Sequence, residues 1–186
     1  MSALTVLNST DEPVIFETAT AENGSLIGLI TLNAPKALNA LNFEMIKLLE
    51  PQLRAWQDGL GLMAGASHRV VTETSRIAMP EQTIGLYPDV GGSYFLHKMP
   101  QNVGLFLGLT SASINCDDAH FVSLADHFID SNKYDAMLAQ ILTAKWGKTV
   151  SLNHERLTDL LTDLDNQSAR MPKGNIKANL KTIQKL

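Results

Sequence analysis

The sequence predicts a single α/β domain. Two runs rich in β-branched residues, Val14-Ile15-Phe16-Glu17-Thr18 and Leu26-Ile27-Gly28-Leu29-Ile30-Thr31-Leu32, flank Ala21-Glu22-Asn23-Gly24-Ser25. The Asn-Gly pair there is a strong hairpin signal. Farther along, residues 133–146 and 152–165 alternate apolar and polar side chains at helical period. With 186 residues, 45% of them hydrophobic, the chain is long enough to bury one core.

The elements follow in order. Residues 1–12 are polar and expected to be loose. Pro35 ends the second strand and leads into a Lys36-Ala37-Leu38 loop. Asn42 is placed to cap a helix that carries Phe43, Ile46, Leu49 and Leu53 on one side, with Pro51 expected to kink or restart it. Residues 59–66 are small and apolar, which suits a tightly packed helix whose first amides could face a developing negative charge. Val70-Val71 and Arg76-Ile77-Ala78 read as short strands delivering Glu81. Residues 103–109 read as a compact apolar helix and residues 124–129 as another strand. In the last segment, Lys173, Lys177, Lys181 and Lys185 recur every four residues opposite Ile176, Leu180 and Ile183. Phosphate binding is one role for such lysines; the solvated face of an amphipathic helix is the commoner one, and it is the reading adopted.

Composition excludes several classes. A net charge of −4 and a pI near 5.7 argue against a nucleic-acid surface. The single cysteine, Cys116, leaves no intrachain disulfide and fits a reducing compartment; with no supporting motif it reads as a small buried hydrophobe. No stretch has the pattern of a secretory leader or an Arg-rich transit segment, and no apolar run approaches membrane-spanning length, so the expected location is cytoplasmic. His68, His97, His120, His127 and His154 lack metal-ligand spacing, so no metal is expected and each reads as structural or exposed. There is no Gly-x-Ser-x-Gly elbow. Gly59, Gly61 and Gly65 miss the dinucleotide spacing by one position.

Chemistry concentrates in one stretch, from Ala78-Met79-Pro80-Glu81 through Pro88-Asp89-Val90-Gly91-Gly92 to Tyr94-Phe95-Leu96. Glu81 and Asp89 each follow a proline, which removes a backbone donor and fixes φ, so both acids are expected on stiff turns outside helices. Gly91-Gly92 allows a close backbone approach and can open a helix over Tyr94, Phe95 and Leu96. A carboxyl group in apolar surroundings suits general acid–base work. From spacing alone, the commoner role of such acids is capping a turn or helix, and that reading stands beside the catalytic one.

This stretch resembles the crotonase (enoyl-CoA hydratase/isomerase) superfamily, and within it the 3-hydroxyisobutyryl-CoA hydrolases, through Met79-Pro80-Glu81, Ile84-Gly85-Leu86 and Pro88-Asp89-Val90-Gly91-Gly92. Asn33-Ala34-Pro35-Lys36-Ala37-Leu38-Asn39-Ala40-Leu41 is similar to the family's CoA-binding loop, and Gly59-Leu60-Gly61-Leu62-Met63-Ala64-Gly65 to its second oxyanion loop and the helix after it. The likeness runs from about Val14 to Asn132. It implies a crotonase-like β-spiral core with flanking helices, in one domain over residues 1–186 whose part from 133 onward is helical. It also implies hydrolysis of 3-hydroxyisobutyryl-CoA to the free acid and CoA, a step of valine breakdown. Glu81 would attack the thioester carbonyl or activate water, and Asp89 would orient that water or move the proton. Asp58 and Gly59 would lie at the oxyanion, and Ala37 and Leu38 would bind the CoA portion. Coenzyme A would enter as part of the substrate, with no separate cofactor, no nucleic acid and no membrane among the partners. Crotonase relatives often form trimers or hexamers, so a homo-oligomer is also an expectation.

Two departures accompany the likeness. The family's first oxyanion loop, an Ala-Gly-Gly-Asp-type string, is absent: Arg54-Ala55-Trp56-Gln57 runs straight into Asp58-Gly59-Leu60-Gly61, as if several tens of residues were cut out. Asp58 then stands where the family has the middle glycine of a Gly-Gly-Gly run. The chain also stops at Leu186, shorter than those hydrolases. A non-catalytic remnant, able to bind CoA or a partner, is therefore the first alternative. A hydratase or isomerase is the second, disfavoured because Gly61 occupies the position of a hydratase's second glutamate.

Overall fold

The computed structural model describes residues 4–21, 23–37, 39, 42–55, 66–88 and 92–186. The chain divides into two compact units, residues 1–65 with 136–157, and residues 66–135 with 158–186.

In the first unit, strands β1 (Thr5–Val6), β2 (Val14–Thr20) and β3 (Leu26–Leu32) form an antiparallel sheet in that order. The β2–β3 register runs from Val14 opposite Leu32 to Thr20 opposite Leu26. Between them Ala21 N–H donates to the Ser25 carbonyl at 2.8 Å and Gly24 N–H to the Ala21 carbonyl at 2.9 Å, closing the expected hairpin. Within the stretch expected to be loose, residues 4–12 are more ordered than their polarity suggests, because Thr5 and Val6 pair with Thr18 and Glu17. Asn8 completes that edge: its Nδ2 donates to the Val14 carbonyl at 2.8 Å, and its Oδ1 accepts from Phe16 N–H at 2.9 Å.

Helix α1 (Phe43–Ala55) starts as expected, with Asn42 Oδ1 accepting from Met45 N–H at 2.9 Å. Its buried face is the expected one only in part, since Leu49 is buried and Leu53 packs against the same cluster. Met45 and Leu49, one turn apart, pack with Val14 and Phe16 of β2, while Phe43 and Ile46 are exposed. The side chains that the sheet leaves room for decide the face, and Phe43 instead carries the Lys47 ammonium 4.5 Å from its ring centroid. The helix also continues through Pro51 rather than restarting there. A proline removes one intrahelical hydrogen bond, and a packed apolar face offsets the loss. Helices α5 (Tyr134–Thr143) and α6 (Val150–Asn166) match the helical periods read over 133–146 and 152–165; both cross from one unit to the other.

The second unit contains the parallel pair β4 (Val70–Val71) and β5 (His127–Phe128), with helices α2 (Gly92–His97), α3 (Val103–Thr110), α4 (Cys116–Phe121) and α7 (Ile176–Ile183). The strand expected over 124–129 is only two residues long. Asp126 instead serves Arg69: its Oδ2 accepts from Arg69 N–H at 2.8 Å and Nε at 2.9 Å, and its Oδ1 from Nη2 at 2.8 Å. Arg76-Ile77-Ala78 likewise contributes one bridge rather than a strand, Ile77 exchanging hydrogen bonds of 3.0 and 2.8 Å with Ile114. Helix α4 is absent from the sequence reading, although Asn115 followed by Asp117 and Asp118 is a helix-start signal. Asn115 Oδ1 accepts from Asp118 N–H at 3.1 Å.

The buried core of this unit gathers Val71, Val103, Leu107, Ile114, Cys116 and Phe128. Cys116 is the buried hydrophobe the sequence implies, and burial pushes its thiol pKa up. Buried Asp118 spends its carboxylate on the start of α7, accepting from Asn175 N–H at 3.0 Å and Ile176 N–H at 2.8 Å. That arrangement suits the positive end of a helix dipole. Ile176 and Ile183 are buried while all four lysines are exposed, so α7 is the amphipathic helix expected. Among the described residues, no helix is long and apolar enough to cross a membrane.

Helices α2 and α3 meet at Gly104, where a Cβ would lie 1.8 Å from the Leu96 carbonyl oxygen. Backbone cannot give way as a flexible side chain would, so Gly104→Ala is expected to destabilise the protein by about 3 kcal/mol or more; thermal unfolding against wild type checks this, and an unchanged midpoint would contradict the contact. The second prediction concerns acid. The Arg69 guanidinium holds the Asp126 carboxyl below the usual carboxylate range. The stability from that pair is therefore complete above the unfolded carboxylate pKa of about 4. It is lost as pH falls through the lower folded value. Asp126→Asn is expected to cost about 1–3 kcal/mol at pH 7 and to flatten the acid limb of a urea-unfolding series; parallel limbs would contradict it.

Candidate active site

Glu81 lies in the second unit, on a short 3-10 helix, Pro80–Ile84. The expected turn is thus one step more regular. Met79 enters in extended backbone, Pro80 supplies a preset φ at the first position, and Gly85 closes the element at φ 77°. Leu86 N–H donates to the Glu81 carbonyl at 3.0 Å, and Thr83 Oγ1 to the Pro80 carbonyl at 2.6 Å. Just upstream, the Ile77–Ile114 bridge ties the segment to the loop between α3 and α4.

The Glu81 side chain has one unusual property. Its Oε2 is buried and, among the described residues, has no hydrogen-bond partner. A buried oxygen left unpaired costs about 1–3 kcal/mol, and it is available to accept a proton or hydrogen bond from an incoming molecule. Gly92 opens α2 as expected, in close packing: a Cβ there would lie 2.6 Å from Met79 Cε and 3.1 Å from Pro88 Cβ. The next residue, Gln82, lines a cavity of about 570 Å³ with Tyr87, Ser93, His97, Leu105 and Leu109, among others, and Glu81 itself is not in that lining. That volume is in the range of small-molecule pockets.

Of the six site residues read from the sequence, two are described. Ala37 ends a 3-10 helix, Pro35–Ala37, in the first unit, is exposed, and donates its N–H to the Ala34 carbonyl at 2.9 Å. The loop read there is partly this helix, held by Asn39 Oδ1 accepting from Ala34 N–H at 2.8 Å. Asp89, Asp58, Gly59 and Leu38 lie outside the described residues, as do residues 59–65 of the helix read over 59–66. The sequence reading gave Ser93 no role and took His97 as structural or exposed, whereas both line the cavity. Their spacing of four on one helix was the signal that they share a face. His127 is structural, buried with Nδ1 4.0 Å from Asp165 Oδ2. His68 stacks on it at 6.0 Å and bonds Thr158 Oγ1 at 2.7 Å. Among the described residues, no group of three or more His, Cys, Asp or Glu side chains could hold a metal ion.

The profile of the enoyl-CoA hydratase/isomerase family matches residues 27–59 and 58–186. The chain belongs to that family. The two matched pieces meet at residues 58–59, the junction at which the resemblance placed a missing segment. Among curated relatives, the mitochondrial 3-hydroxyisobutyryl-CoA hydrolase of Xenopus tropicalis is 28% identical over 210 residues, covering 76% of this chain and 53% of its own. The human protein of the same name is 30% identical over 192 residues, covering 66% and 50%. The bovine one is 38% identical over 103 residues, covering 55% and 25%. The chain spans about half the length of the curated relatives it matches. In the first alignment, 76% of 186 residues is about 141, so about 69 of the 210 positions have no counterpart here.

Solved structures share the fold. A carnitinyl-CoA dehydratase from Mycobacterium thermoresistibile superposes with a TM-score of 0.71 at 22% identity, over 94% of this chain and 66% of its own. An enoyl-CoA hydratase from Rhodobacter sphaeroides 2.4.1 gives 0.67 at 24%, with the same coverage. The mixed helices and sheet are thus a shortened crotonase-like α/β fold.

The unpaired Oε2 has a consequence for stability. Glu81→Met keeps the side-chain length and removes the buried polar atom, so it is expected to raise stability by about 1 kcal/mol. Chemical denaturation of the two proteins checks this; a clear loss of stability would mean that the carboxylate has a partner that holds it.

Proposed function

We propose that Glu81 is the proton acceptor for hydrolysis of a short branched hydroxyacyl-CoA thioester, 3-hydroxyisobutyryl-CoA being the leading substrate. The observation that carries this reading is the buried Glu81 Oε2, unpaired among the described residues, on a short 3-10 helix whose next residue, Gln82, lines a cavity. The names of the curated relatives supply the substrate class. In the proposed step Glu81 takes a proton from water as the water oxygen attacks the thioester carbonyl. The tetrahedral oxyanion collapses, the carbon–sulfur bond breaks, and the proton passes to the leaving thiolate. Asp89 would orient the water or share in the proton transfer. Carboxylates and water suffice for this sequence, so coenzyme A enters as part of the substrate.

A second reading, a non-catalytic remnant, is favoured by one specific observation. The relatives carry about 69 aligned positions that this chain lacks, and the family profile breaks at residues 58–59. Removing one oxyanion donor costs about 10²–10³ in rate. At the break, Asp58 would add negative charge where negative charge develops.

Free-thiol release from 3-hydroxyisobutyryl-CoA, compared between this chain and Glu81→Ala, separates the two. Hydrolysis predicts turnover that drops at least 100-fold in the variant. Equal release from both proteins would mean that Glu81 carries no such step here and would leave the remnant reading in place.

A further inference from the structure

The tip of the β2–β3 hairpin carries Asn23-Gly24, the one Asn-Gly pair in the sequence. Both residues are exposed. Gly24 has φ 84°, and a Cβ built on it would meet nothing within 4 Å, so the bond between the two residues lies in open space. The Asn23 side chain, in contrast, is held at both ends. Its Oδ1 accepts from Ser25 N–H at 3.1 Å, and its Nδ2 donates to the Trp146 carbonyl. Trp146 is itself fixed, since its Nε1 donates to the Ile141 carbonyl at 3.0 Å. The next residue, Gly147, donates its N–H to Asn153 Oδ1 at 2.6 Å and accepts from Asn153 Nδ2 at 3.2 Å. Asn23 therefore fastens the hairpin tip to the corner between α5 and α6, within the first unit.

We propose that Asn23 is a site of spontaneous deamidation, with water as the co-reactant, and that the reaction unfastens the hairpin from Trp146. Asparagine is one of the thermolabile residues, and a following glycine, with no Cβ, leaves the backbone nitrogen least hindered. In the first step the Gly24 nitrogen attacks Asn23 Cγ. The bond from Cγ to Nδ2 breaks, and Nδ2 leaves as ammonia with the proton that the Gly24 nitrogen gives up. Water then opens the resulting succinimide at either carbonyl, leaving an aspartate or an isoaspartate at position 23. The fold assists at one atom and resists at another. Ser25 N–H already donates to Oδ1, where negative charge develops during the attack. Gly24 N–H donates to the Ala21 carbonyl at 2.9 Å, a bond that must open first. The product carboxylate has no donor, so it meets the Trp146 carbonyl as acceptor against acceptor. The isoaspartate also lengthens the main chain within the turn, against the short loop that sets the hairpin's register.

Ageing the folded full chain in isotopically labelled water at mildly alkaline pH, then sequencing its peptides by mass spectrometry, tests the chemistry. Asn8 and Asn33 serve as internal controls, because Ser9 and Ala34 follow them with a Cβ. The expected result is conversion at Asn23 about tenfold or more faster than at either control. Labelled oxygen should enter position 23, and both aspartate and isoaspartate should form there. An Asn23 amide that survives as long as those of Asn8 and Asn33 overturns the proposal. The unfastening is read separately, with Asn23→Asp, which carries the acid from the outset. Deuterium exchange at the Gly147 amide is expected to run about tenfold or more faster than in wild type, with circular dichroism unchanged. If that variant does not fold, aged wild type gives the same reading. A Gly147 amide equally protected before and after the change would overturn the unfastening.

Discussion

Two hydrogen bonds between Ile77 and Ile114 hold the Glu81-bearing segment to the rest of its unit. Ile114 is buried in the core, and the next residue, Asn115, caps α4. From α4, Asp118 reaches the first amides of α7. One bridge therefore connects the candidate catalytic turn, a core residue, a helix cap and the C-terminal helix. Three residues beyond Ile77, Pro80 starts the 3-10 helix, and little chain is left in which Glu81 could wander.

The glutamate held in this way costs stability where it sits. Its neighbours spend their polar groups on structure: Asp118 on a helix start, Asp126 on Arg69, and Glu73 on the hydroxyl and N–H of Ser131, which draw its carboxyl below the ordinary range. Glu81 alone among these keeps a buried oxygen unpaired. Groups that break the general rule of polar satisfaction call for an explanation, and proton transfer is a physical one. The contrast separates Glu81 from the structural acids better than its spacing did.

Legibility in the sequence tracked the range of the forces involved. The β2–β3 hairpin, the Asn42 cap, the opening of α2 at Gly92 and the amphipathic α7 all depend on residues within a few positions of one another. The buried face of α1 followed only in part from its own periodicity: Leu49 and Leu53 join the cluster around β2 as read, but Met45 takes the place of Phe43 and Ile46. The strands read at 76–78 and 124–129 shrank because Ile114 and Arg69, distant in sequence, took up their backbone or side-chain bonds.

By itself the sequence determined the mixed α/β class, the family and the candidacy of Glu81, since each rests on local pattern or on a motif of adjacent residues. Only the tertiary structure decided which Glu81 oxygen is buried and unpaired among the described residues, and where α2 and α3 touch at Gly104. Those outcomes depend on which distant residues fill the space around a side chain, and no local period records that.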